Sequence, residues 1–93
     1  MSKRDKLHRK IRNNPKGIHF TELETLLLRF GFKLVRVSGS HHVFEYKNEM
    51  TEGILVIPVH GASVKTPYVK DAIVLLDKLF PELDEEEKDN TDE

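Results

Sequence analysis

The chain has 93 residues, room for one small domain. It has no cysteine, which removes disulfides, thiolate nucleophiles and Cys-based zinc sites. The net charge of −1 hides a segregation: ten basic and three acidic residues in 1–40, but one basic and eight acidic in 82–93. The body without that last stretch is strongly basic. No apolar run approaches the ~20 residues of a membrane helix, and no apolar segment follows the basic N-terminus as in a secretory signal. A cytoplasmic protein with no membrane association is expected.

Residues 2–12 read as a short basic helix held by Leu7 and Ile11 at i, i+4. Pro15 and Gly17 end it. A second helix is predicted from Thr21 as N-cap, with Glu24 three residues on as a capping box. Leu23, Leu26, Leu27 and Phe30 give it one apolar face, and Gly31 is placed to stop it in a left-handed conformation.

Three strands follow. Phe32–Val37 is β-branched and aromatic, and Ser38-Gly39-Ser40 breaks it. His41–Tyr46 alternates, with Val43 on one face and Phe44 and Tyr46 on the other. Residues 47–53 form a polar connection. Ile54–Val59 is a continuous apolar run, expected to be covered more thoroughly than its neighbours, with Pro58 at an edge or strand end. The last helix takes Thr66 as N-cap and Pro67 as its first residue, carries an apolar stripe from Val69 to Phe80, and stops at Pro81. Residues 82–93 read as a disordered acidic tail. The predicted organisation is a basic extension (1–17), a folded domain (18–81) and that tail. The class is α+β: α-β-β-β-α with a three-stranded antiparallel meander, helices on one face and the other face open.

The densest polar cluster is Ser38-Gly39-Ser40-His41-His42. Histidine suits proton transfer near neutral pH. Alternation along a strand sends the two rings to opposite faces. His42 joins Phe44 and Tyr46 on the helix-covered side. His41 joins Val43 and Glu45 on the open side, which makes His41 the better candidate to meet a substrate. A polar strand start with no chemistry is the competing reading. His60 follows the third strand and supplies a further imidazole. Two imidazoles can cleave a phosphodiester without a metal, one taking the proton of the ribose 2′-OH and the other protonating the leaving oxygen. No carboxylate stands at a ligand spacing beside them, so neither metal nor cofactor is expected. His8 and His19 receive no role. Lys33, Arg36, Lys65 and Lys70 lie on or beside the sheet and at the start of the last helix, where they can form a phosphate-binding surface or be ordinary solvated charge. The acidic tail either solubilises the chain or competes with RNA for the basic body.

The ordered set Phe20-Thr21-Glu22-Leu23, Gly31-Phe32, Gly39-Ser40-His41-His42-Val43-Phe44 and Ile57-Pro58-Val59-His60-Gly61 resembles the HicA (YcfA-like) toxins. The resemblance covers about residues 19–80. It implies a fold like the double-stranded-RNA-binding domain, and an mRNA interferase neutralised by a HicB-type antitoxin. It implies a catalytic histidine in the Gly-Ser-His signature, His41 here, or His42 in the manner of members whose histidine stands one residue later. His60 and Lys65 would help at the phosphate, and Lys33, Arg36, Ser40 and Lys70 would bind RNA. The alternatives are a non-catalytic RNA-binding module of the same fold and a protein-interaction domain.

Overall fold

A computed structural model describes residues 3–82 of the chain. The elements run α1 (Lys3–Asn13), α2 (Phe20–Arg29), β1 (Lys33–Ser38), β2 (His41–Lys47), β3 (Glu52–Pro58) and α3 (Thr66–Leu79). The α+β order and the antiparallel sheet β1-β2-β3 are those predicted. The acidic tail beyond Glu82 lies outside the described residues. No described helix is long and apolar enough to cross a membrane.

The helices cover one face of the sheet. Phe44 of β2 and Ile57 of β3 are fully buried beneath Leu23, Leu26, Leu27 and Leu76. Gly53 admits α3 closely: a Cβ there would meet Leu79 Cδ1 at 3.3 Å. At the end of α2, Gly31 takes φ +97°. The Phe32 N–H reaches Leu27 O at 3.0 Å and the Gly31 N–H reaches Leu28 O at 3.1 Å, which closes the helix and turns the chain into β1.

Several expectations are corrected. α2 starts before Thr21, with His19 as its N-cap. The Phe20 N–H is taken by Ala62 O at 2.8 Å and the His19 N–H reaches the Glu22 carboxylate at 3.4 Å, so residues 19–20 are fixed as the helix head and Thr21 falls inside the first turn. α3 likewise takes Lys65, not Thr66, as N-cap. The polar connection shrinks to residues 48–51, because Asn48 Oδ1 accepts the N–H groups of Met50 and Thr51, each at 2.8 Å. β3 is covered on one face only: Ile57 is buried, whereas Ile54 is 63% and Val56 43% exposed. Every residue of β1 is exposed, with an irregularity between Leu34 and Arg36 in its pairing to β2.

α1 is part of the same core. Ile11 is fully buried and Leu7 packs against the cluster. His8 is only 2% exposed, its Nε2 2.9 Å from Asp77 Oδ1 of α3, and Arg12 Nη1 lies 3.0 Å from Asp77 Oδ2. Arg4 stacks over Phe30 at 4.6 Å, near the end of α2, while Lys10 reaches Glu22 near its start at 3.5 Å. The two helices therefore run antiparallel.

Candidate active site

One end of the sheet gathers most of the residues singled out from sequence. β1 and β2 join there through Gly39-Ser40, with Gly39 at φ +58°. Ser38 pairs with His41, and His41 pairs on its other side with Pro58. The chain beyond β3 is tied to the turn by the Val59 N–H on Ser40 O at 2.8 Å. His60 bridges Ser63 across Gly61-Ala62, and Ser63 bridges His19. Two adjacent backbone bridges thus set His19 and His60 on neighbouring segments beside the head of α2.

His42 is the most constrained of these rings. It lies half-buried on the helix side, as alternation predicts, with its centroid 4.5 Å from that of Phe20. Its Nδ1 is 3.3 Å from Ser40 O. A carbonyl only accepts, so Nδ1 is the donor of this contact, and in the neutral ring the lone pair then sits on Nε2. The ring is held by the tilted Phe20 ring on one side and by backbone at one nitrogen, an arrangement that restricts its orientation. His41 and His60 are exposed.

The cations divide between two places. Lys33 and Arg36 stand exposed on β1, paired with Glu45 and Val43 of β2, on the open face with His41. Lys65 is the exposed N-cap of α3, directly after the His60–Val64 loop, at the positive end of the helix dipole. Lys70 lies exposed within α3. It shares a groove with Arg12, Pro15, Ile73, Val74 and Asp77. Ser40 contributes through its main chain, as the acceptor for both Val59 and His42. The sequence reading missed His19. Its position directly before the helix whose Phe20 packs against His42 is visible only once the 60–64 loop is paired to it. Among the described residues no three His, Asp or Glu side chains converge as a metal-binding group.

A family model described as the HicA toxin of bacterial toxin-antitoxin matches residues 20–75. That stretch runs from the head of α2 into α3 and contains the whole sheet, His41, His42 and His60. No curated protein and no solved structure matches the chain significantly.

Proposed function

The chain belongs to the HicA toxin family, and on that footing we propose that it is an mRNA interferase: an endoribonuclease that cleaves mRNA by histidine acid–base chemistry and needs no metal. The observation that carries this reading is the seating of His42 between the Phe20 ring and Ser40 O. Its Nε2 is the group arranged to act as general base. It takes the proton of a ribose 2′-OH, and the 2′-oxygen attacks the adjacent phosphorus. The bond to the 5′-oxygen breaks, and a second group returns a proton to that oxygen. The products are a 2′,3′-cyclic phosphate and a 5′-hydroxyl. His60 and His41 are the candidates for the proton donor, both near the same sheet end.

Charge that develops on the phosphate is met by Lys65, at the positive end of the α3 dipole. Lys33, Arg36 and Lys70 hold the backbone on either side. The alternation argument favours His41 as the base, because it shares the open face. The packing favours His42, because a base whose orientation is restricted loses less on reaching the transition state.

A HicB-type antitoxin is the partner this family reading supplies. Covering the histidine end would silence the enzyme. The exposed Ile54 and Val56 on the open face offer apolar surface for such a contact.

The test is incubation of the purified protein with long single-stranded RNA, with and without EDTA, beside His41→Ala and His42→Ala. Cleavage that survives EDTA, ends in a cyclic phosphate and is lost in His42→Ala is the expected result. Binding without cleavage in the wild type would replace the enzyme with an RNA-binding module. Neither activity would leave a protein-interaction domain.

A further inference from the structure

α1 lies outside the stretch matched by the family, residues 20–75. It is nonetheless docked rigidly, by buried Ile11 and by the contacts of His8 and Arg12 to Asp77 at 2.9 and 3.0 Å. What it presents to solvent is basic. Lys3, Lys6 and Lys10 are all exposed and recur at i, i+3 and i+7, one row along the side opposite His8 and Ile11. Residues 1–17 hold seven basic residues and one acidic. That one, Asp5, lies against Arg4 at 3.1 Å rather than in the row.

The direction of α1 sets where the row leads. Lys10 meets Glu22 at 3.5 Å, in the first turn of the helix whose Phe20 packs against His42. From there the chain passes through exposed Lys16 to Ile18, whose carbonyl accepts the Val64 N–H at 2.9 Å, one residue before Lys65. The cations therefore form a track that starts beside the histidine end and continues along α1. The row from Lys3 to Lys10 covers about 10 Å, at 1.5 Å per residue.

We propose that α1 is a second RNA-contacting element, outside the stretch matched by the family. A strand leaving the histidine end lays its phosphates along Lys16, Lys10, Lys6 and Lys3. This rests on the endoribonuclease reading and assigns the binding of substrate that flanks the scissile bond. The occupant follows from charge. The row is lysine throughout, and half-buried Leu7 beside it packs toward the core, so it offers little apolar surface for a protein contact, while a phosphate chain gains affinity from it by counterion release.

The test measures RNA affinity against salt for the full chain, for Lys3→Gln/Lys6→Gln and for Met50→Glu/Thr51→Glu. The second pair makes the same change of net charge at the opposite end of the sheet, next to the Lys47–Glu52 pairing. All four positions are exposed, and circular dichroism checks that each variant folds. The α1 variant is expected to flatten the slope of log K against log salt by about 1.4, at roughly 0.7 per phosphate contact in a single strand, and to bind about tenfold more weakly at 0.15 M salt. The Met50/Thr51 variant is expected to keep the wild-type slope. Equal slopes and affinities in the two variants overturn the proposal. So does a loss in the α1 variant that emerges only after Asp84, Glu85, Glu86 and Glu87 are neutralised, because the acidic end of this chain would then be what the row holds. A wild type that neither binds nor cleaves RNA instead removes the endoribonuclease reading itself.

Discussion

Two histidines of this molecule sit against phenylalanine rings in opposite settings. His8 meets Phe30 edge-on at 6.0 Å between centroids, and His42 meets Phe20 at 4.5 Å. His8 is sealed between α1, α2 and α3, and its Nε2 is taken by the Asp77 carboxylate, which also receives Arg12. His42 gives Nδ1 to a backbone carbonyl and is half-buried at the sheet end. The availability of an imidazole for chemistry is thus decided by which nitrogen the fold engages and by whether the other reaches solvent. Aromatic support by itself does not distinguish the two.

The sharpest way to break this comparison is to remove each ring. His42→Ala should cut the rate of RNA cleavage by roughly 10²–10⁴-fold, the range of a lost general acid or base. Its melting temperature should move by only a few degrees, because the ring is half-buried. His8→Ala should do the reverse. It leaves a cavity beside Phe30 and takes one donor from Asp77, at a cost of about 2–3 kcal/mol in stability. Cleavage per folded molecule, measured well below the melting temperature, should match the wild type. If His8→Ala instead abolished cleavage in a folded protein, the separation of a structural from a chemical histidine would fail.

Much of this architecture was legible beforehand. Apolar spacing, Gly31, Pro67 and Pro81 mark the helices, and strict alternation in His41–Tyr46 assigns both faces of β2. The N-cap of α2 moved from Thr21 to His19 because the Ala62 carbonyl, distant in sequence, engages the Phe20 N–H at 2.8 Å. The exposure of Ile54 and Val56 was hidden by an unbroken apolar run, which looks the same whether one face or two are covered. His8 was missed for a different reason. With only Leu7 and Ile11 as apolar markers, α1 looked like a loosely held basic helix. His8 stands three residues before Ile11, on the same side, and a histidine on that stripe was the available signal of a third docking contact. The site shows the same limit: the Gly39–His42 cluster stands out in sequence, but whether His41 or His42 is held depends on Phe20, which reaches it only through tertiary packing.

The finest prediction concerns the supporting rings. Phe20→Leu keeps the apolar volume over Phe44, 6.2 Å away between centroids, but removes the tilted ring packed against His42. If His42 is the base of the proposed cleavage, a ring free to rotate spends less time in the reactive orientation, so kcat should fall about 3–10-fold while KM stays near the wild-type value. Phe30→Leu makes the same change against His8. There the Asp77 carboxylate still fixes the imidazole, so the expected effect is confined to stability, about 1 kcal/mol from lost packing. A kcat loss in Phe20→Leu accompanied by an equal loss in Phe30→Leu would mean that general loosening of the helical layer, not the orientation of one imidazole, controls the rate.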